Sequence, residues 1–279
     1  MTPWRDKVAL VTGGSSGLGF HIARSFAAAG ARVVIAARNE TTLAAAARLL
    51  AERAGREVET AAVDIQDDAS VVAMIERVVS LHGRLDVLVN NAGQSSRQAI
   101  LDTTADDFRR LIDLNLLGAV RITTAAARHL IAARGHVVNI VSLSGITATR
   151  FLGAYPASKH ALAAYSTQLR RELCDEGLHV LSVYPGPIAR DTELDARLGR
   201  SSTVDRADAD RLARLPEAAR KPGGGAKVPS LRAERVADDI VRACERRVAE
   251  LVYPAKARWL FAIERLWPGL GDRLVRRFT

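Results

Sequence analysis

Residues 12–19 read TGGSSGLG and come directly after the apolar run Val8-Ala9-Leu10-Val11. Leu18, Ile22 and Phe26 then recur at helical spacing. A buried strand that turns on glycines into an amphipathic helix is the start of a β-α-β unit, and few folds accept one. The same arrangement makes an anion site. Glycines admit a phosphate close to the backbone, and the free N–H groups and dipole of the helix N-terminus hold its charge. The glycines stand at Gly13, Gly17 and Gly19, a GxxxGxG spacing rather than GxGxxG. A glycine-rich stretch can also be only a turn, so its weight rests on the rest of the chain.

Downstream of the turn the chain alternates regularly. Short β-branched runs at 7–11, 32–36, 58–63, 86–89, 136–141 and 179–183, with a weaker one at 251–253, are separated by helical patterns. The helical patterns lie near 17–29, 40–53, 68–81, 105–132 and 155–176, with another at 233–247. This rhythm predicts an α/β protein with a doubly wound, parallel, seven-stranded sheet and helices on both faces. Residues 190–230 break it, being polar and irregular and including Lys221-Pro222-Gly223-Gly224-Gly225. A loop of that length after the sixth strand reads as a lid over a ligand crevice or as a surface excursion.

The tail breaks the rhythm again. Trp259-Leu260-Phe261-Ala262-Ile263 is apolar, and Leu270, Leu274, Val275 and Phe278 recur at helical spacing among Lys256, Arg258, Arg265, Arg273, Arg276 and Arg277. A basic amphipathic helix can lie in a membrane interface, cover a core, or meet a partner subunit. The chain therefore divides into a nucleotide-binding domain over 1–254 and a helical C-terminal extension over 255–279.

Composition narrows the classes. The 279 residues, 48% hydrophobic and 25% charged, are those of an ordinary globular chain. Cys174 and Cys244 offer neither a disulfide framework nor metal-ligand spacing, so no metal is expected. The formal charge is +9, but the arginines are scattered and aromatics are 5%, which argues against nucleic acid and for an anionic cofactor. No apolar run reaches the roughly 18 residues of a membrane span, and MTPWRDKVAL lacks a signal peptide's apolar segment. The expectation is a cytoplasmic protein, peripheral to a membrane where residues 256–279 dock on one.

Tyr155-Pro156-Ala157-Ser158-Lys159 carries the chemistry. Proline suits the first turn of a helix, and residues i and i+4 share a face, so phenol and ammonium point into one space. A positive charge beside a phenol lowers its pKa towards working pH and prepares it to exchange a proton with a carbonyl or alcohol oxygen. Ser142, at the end of the fifth strand and 13 residues before Tyr155, is favoured by spacing to bind the same oxygen, with Ser144 as its rival. Asn90-Asn91-Ala92-Gly93 closes the fourth strand with small residues that let a cofactor pass close. Asn115 sits in the middle of a helical pattern, where asparagine is mildly unfavourable.

Together these motifs resemble the short-chain dehydrogenase/reductase family in its single-domain form. The match covers roughly residues 6–192: TGGSSGLG, Asp64, NNAG at 90–93, Asn115, Ser142, YPASK at 155–159 and Pro185-Gly186-Pro187-Ile188. The resemblance implies a Rossmann-type fold with Tyr155 as acid and base. It implies Lys159 as the group that holds the ribose and lowers the tyrosine pKa, Ser142 as the carbonyl-orienting hydroxyl, and Asn115 as anchor of a proton-relay water. It implies cofactor contacts from Gly13, Ser15, Ser16, Gly17, Leu18 and Gly19, then Arg38 and Asn39, Asp64 at the adenine with Ile65, and Asn91, Ala92 and Gly93. Tyr155, Lys159, Pro185, Gly186 and Ile188 complete that set beside the nicotinamide. It also implies a homodimer or homotetramer paired through the helices near 105–132 and 155–176. Two departures stand out: the threonine expected soon after the Pro-Gly turn is present only as Thr192, and the extension past about 250 has no counterpart in the minimal pattern.

The second strand ends Ile35-Ala36-Ala37-Arg38-Asn39. An acidic residue at its end would bind a ribose 2′-hydroxyl, whereas Ala37 followed by Arg38 suits a 2′-phosphate. NADP(H) is therefore expected over NAD(H). The expected reaction is reversible hydride transfer between the nicotinamide and a ketone or secondary alcohol, with a lipophilic compound as the narrower substrate. The alternatives are a non-catalytic NADPH-binding regulator and a membrane-surface lipid-associated reductase. The resemblance also implies C=O rather than C=C chemistry, since enoyl-reducing members of that family set the tyrosine and lysine further apart than YxxxK. The substrate pocket is expected from residues near 94–100, 143–153 and 186–230, with Gln94, Phe151 and Leu152 among them.

Overall fold

The computed structural model describes residues 3–199, 212–220 and 229–278. Seven parallel strands form one sheet in the order β3-β2-β1-β4-β5-β6-β7. They are β1 (Val8–Thr12), β2 (Arg32–Ala37), β3 (Val58–Ala62), β4 (Val87–Asn90), β5 (His136–Ile140), β6 (His179–Tyr184) and β7 (Glu250–Val252). Each end lies within one residue of the apolar run that predicts it. Helices α1 (Gly17–Ala28), α2 (Glu40–Ala54), α3 (Asp68–His82), α4 (Ala105–Ile112), α5 (Gly118–Ala132) and α6 (Tyr155–Leu173) alternate with the strands. They are followed by α7 (Thr192–Arg197), a helical turn at Glu217–Arg220, α8 (Ala233–Glu245), α9 (Ala257–Leu266) and α10 (Pro268–Phe278).

Both sheet faces are buried, as a parallel sheet requires. On β1, Ala9 and Val11 enter the layer built with α1, α2 and α8, while Val8 and Leu10 enter the layer built with α3 and α5. Strand order reverses between β1 and β4, so a crevice opens at the carboxyl ends of those strands, where such folds take ligands. At the opposite end Asp86 ties β1 to β4. Its carboxylate accepts the Val8 N–H (2.9 Å) and two Arg84 guanidinium N–H groups (2.8 and 2.7 Å), and it pairs with Lys7 (3.2 Å). These partners outweigh its burial and hold its pKa below the usual carboxylate range.

Several helix starts are closed by side chains. Asn39 caps α2, Asp67 caps α3, and Thr104 with Asp107 forms a capping box on α4. The long helix expected over 105–132 is interrupted. Residues Asp113–Leu117 form a π-turn between α4 and α5, in which the Gly118 N–H reaches back to the Asp113 carbonyl. Of the expected lid, residues 200–211 and 221–228, which include Lys221–Gly225, lie outside the described residues.

Candidate active site

The glycine turn is fitted to the end of β4 with no room to spare. Thr12 Oγ1 donates to the Val89 carbonyl (3.1 Å) and accepts the N–H groups of Asn91 (3.0 Å) and Ala92 (3.1 Å). The Asn91 amide in turn donates to the carbonyls of Thr12 (3.0 Å) and Gly13 (3.3 Å). Gly13 has φ +63°, and a Cβ there would stand 2.9 Å from Asn91 Nδ2. A Cβ at Gly19 would stand 2.3 Å from the Gly13 carbonyl oxygen. Above this turn, α1 begins uncapped: Ser16 is its N-cap residue, accepts no N–H with its side chain, and no acidic residue stands in the first turn. Ser15 is buried beneath the turn, while Leu18 faces the adjoining cavity. Bare N–H groups at a helix start beside glycines that cannot carry side chains fit a pyrophosphate.

The remaining candidate cofactor residues line the same edge. Arg38 is exposed at the end of β2, and among the described residues no carboxylate lies within ion-pair distance of it. Asn39 accepts the Thr42 N–H (2.9 Å), so its carbonyl oxygen is used in capping α2. Asp64 is exposed and accepts the Gln66 N–H (3.0 Å); Ile65 is buried against Gly118. The turn at Pro185, Gly186 and Ile188 is pinned from three sides. Leu143 N–H donates to the Pro185 carbonyl (3.1 Å), Gly186 N–H to that of Tyr253 (3.0 Å), and Leu231 N–H to that of Pro187 (2.8 Å).

Ser142, Tyr155 and Lys159 meet in one cavity of about 670 Å³. Ser142 has φ 141°, a conformation that strains a serine and one that sequence gives no sign of. Its Oγ accepts the Ser144 N–H (3.1 Å) and lies on the side of the Tyr155 phenol, so the two rival serines are one unit. Lys159 Nζ donates to the Ile140 carbonyl (2.8 Å).

The YxxxK spacing predicts a lowered tyrosine pKa, and the protein's own groups produce the reverse. Burial pushes the Tyr155 phenol up, and the Ser142 hydroxyl opposes it only in part. Lys159 Nζ lies 5.8 Å from the phenol ring centroid, and burial pushes its own pKa down to about 8. Desolvation is the leading cause of both shifts.

Asn115 lies within the π-turn rather than in a regular helix. Its side chain accepts the Gln94 N–H (2.8 Å) and donates to the Gln94 carbonyl (2.9 Å) and Ser158 Oγ (3.0 Å). It braces the segment after Gly93 against α6. Beneath it runs a buried polar chain that the motifs do not reveal: Asn90 donates to Thr123 and Asn139, and Asn139 donates to Ser166.

The outer cavity wall contains Gln94, Arg97, Leu143, Thr147, Thr149 and Leu152, as expected from those segments. The Thr147 and Thr149 hydroxyls are buried with no hydrogen-bond partner among the described residues. Phe151 is outside the lining; its ring lies under the Arg150 guanidinium at 4.9 Å instead. Thr192 is exposed at the start of α7, also outside the lining. The tail supplies what the three expected segments lack: Ala257 and Phe261 of α9 and Val275 of α10 close the cavity from above.

This chain matches the family of short chain dehydrogenases over residues 7–202. It belongs to that family. An uncharacterized oxidoreductase of Staphylococcus saprophyticus is 35% identical over 71% of this chain and 86% of its own length. The zebrafish (Danio rerio) dehydrogenase/reductase SDR family member 7B is 31% identical over 97% of this chain and 85% of its own. The rat and cattle proteins of that name are matched over 61% of their lengths. The L-sorbose reductase of Gluconobacter frateurii, solved with NADPH and L-sorbose, superposes with a TM-score of 0.74 at 27% identity, covering 90% of this chain and 96% of that one. As a short-chain dehydrogenase the chain is an oxidoreductase with a Rossmann-type nucleotide-binding sheet, of the class acting on CH–OH and C=O groups. Its C-terminal helices α9 and α10 lie beyond the matched segment.

Proposed function

We propose that this chain is an NADP(H)-dependent oxidoreductase that interconverts a ketone and a secondary alcohol. One observation carries the reading: the Tyr155 phenol shares a cavity with Ser142 and Lys159 next to an uncapped helix start walled by glycines. When bound, the nicotinamide supplies the hydride for reduction and takes it in oxidation. Ser142 and Tyr155 hold the carbonyl oxygen, and Tyr155 gives it a proton as negative charge develops there. A raised phenol pKa keeps Tyr155 in the proton-bearing form that reduction requires. Lys159, anchored on Ile140, has N–H groups left for a ribose hydroxyl. The Asn115 side chain braces the site, so a relay water there would rest on its backbone. Thr147 and Thr149 offer hydroxyls to a polar group of the substrate.

Arg38 supports the 2′-phosphate, as does the NADPH bound to the related sorbose reductase. Replacing Arg38 with alanine is expected to weaken NADPH by about 10- to 100-fold, the worth of one charge-assisted contact, with little change for NADH. Fluorescence titration of both cofactors checks this, and equal losses would remove the basis for NADPH specificity. An NADPH-oxidation screen over small, steroid-like and long-chain ketones tests the activity. Tight binding without turnover on any of them would leave a cofactor-binding regulator, and no binding of either cofactor would overturn the reading.

The Lys159 pKa gives a pH prediction. A lysine held near 8 is charged below that value and loses its proton as pH rises through it. NADPH affinity should therefore decline as pH rises through about 8, where an ordinary lysine would hold it to about 10. A profile flat across that range would show that Lys159 charge plays no part in binding. We also propose pairing as a homodimer or homotetramer through α4, α5 and α6, which the mass in solution tests.

A further inference from the structure

Helix α9 has two apolar faces. Ala257 and Phe261 turn inward, packed against the cluster of Val141, Leu162, Tyr184 and Val252 and lining the cavity. Arg258 donates to the Glu250 carbonyl (3.1 Å) and fixes the helix to β7. The opposite side carries Trp259, Ala262, Ile263 and Leu266, the i, i+3, i+4, i+7 pattern of a stripe made to be covered. Trp259 is 77% exposed and Leu266 68%, and the stripe continues through Trp267 at 61% to Leu270 at 48%. Arg258, Arg265 and Arg273 are exposed around it. Residues 256–279 hold six basic side chains against two acidic ones.

Charge decides what covers this face. A second copy would bring the same arginines against these ones, since a two-fold contact pairs a patch with itself. An anionic lipid surface meets both features, taking the tryptophans and leucines at the headgroup boundary and the arginines at its negative charge. Among the described residues no helix is long and apolar enough to cross a membrane, so the tail would lie on the surface. We propose that α9 and α10 dock the protein on an anionic bilayer through Trp259, Leu266, Trp267 and Leu270. The same helices roof the substrate cavity, so a lipophilic carbonyl compound would enter from the lipid; that last step rests on the reductase reading above.

The test uses the full chain with vesicles of phosphatidylcholine alone and of phosphatidylcholine mixed with phosphatidylglycerol. Of the three tryptophans, Trp4 is 4% exposed and packs edge-on against Phe26, so an emission change on vesicle addition reports Trp259 and Trp267. The expected result is co-sedimentation and a blue shift with the mixed vesicles, weakened by salt. Trp259→Ser with Trp267→Ser should lower partition by about tenfold or more, with NADPH affinity as the check on folding. Arg265→Glu with Arg273→Glu keeps the stripe and should lower binding to the anionic vesicles selectively.

Absence of vesicle binding, or binding indifferent to these substitutions and to lipid charge, would overturn the proposal. A self-association that the tryptophan substitutions abolish, without vesicle binding, would do so in favour of a second copy. Failure of the reductase reading is seen separately, as loss of cofactor binding or turnover in a protein that still binds vesicles.

Discussion

Replacing Tyr155 with phenylalanine is expected to lower the proposed ketone turnover by about 10²- to 10⁴-fold, the usual worth of a positioned proton donor, and to leave NADPH affinity essentially unchanged. The substitution removes one oxygen and conserves the ring, so the cavity wall formed with Ser142 and Lys159 keeps its shape. What is lost is the proton, which burial keeps on the phenol. Because the phenol is needed while charge develops on the carbonyl oxygen, kcat and kcat/KM should fall together. A rise in KM at constant kcat would make Tyr155 a binding group only. Full turnover would place the proton donor elsewhere, with Ser142 the next group to replace.

The scaffold was legible because each strand is a short apolar run bounded by turn residues, and each helix a 3.6-residue pattern. Neither signal depends on distant contacts, so strand ends are displaced by no more than one residue. The motifs also name the residues that meet in the cavity, since Tyr155 and Lys159 share one helix and Ser142 follows two residues after the strand beside it. What was hidden is tertiary. The π-turn at Asp113–Leu117 shifts the helical register by one residue without altering the apolar pattern, yet it brings Asn115 to Gln94 and Ser158. The direction of the Tyr155 shift comes from burial, which spacing cannot measure. Phe151 and Val275 exchange the places their local sequences suggest. Phe151 sits outside the cavity under Arg150, while Val275, deep in the tail, lines it. An amphipathic pattern states that a face must be covered; it does not state by what.

The second large effect is expected at Gly19, and it separates steric from conformational glycines. Gly19→Ala puts a methyl 2.3 Å from the Gly13 carbonyl oxygen and 2.4 Å from Asn91 Nδ2. Neither can yield cheaply. The carbonyl is backbone within the turn, and the Asn91 amide is held by the Thr12 and Gly13 carbonyls. Either α1 backs away or the turn opens, at a cost of about 1–3 kcal/mol for an overpacked site. Binding a pyrophosphate would require the original shape, so the same strain appears as a loss of about 5- to 150-fold in NADPH affinity. Gly17→Ala is the comparison for fold stability only, because Gly17 is itself a candidate cofactor contact. Its added methyl would meet nothing within 4 Å, and only its φ of +51° resists, at roughly 1–2 kcal/mol. The Gly17 strain weakens the fold without bringing atoms of the turn into collision. Cofactor titration of the Gly19→Ala variant and melting curves of both variants decide the matter. A Gly19→Ala protein that binds NADPH like the unaltered chain would show that the turn relaxes freely, and the close fit of α1 to β4 would then no longer support a pyrophosphate site.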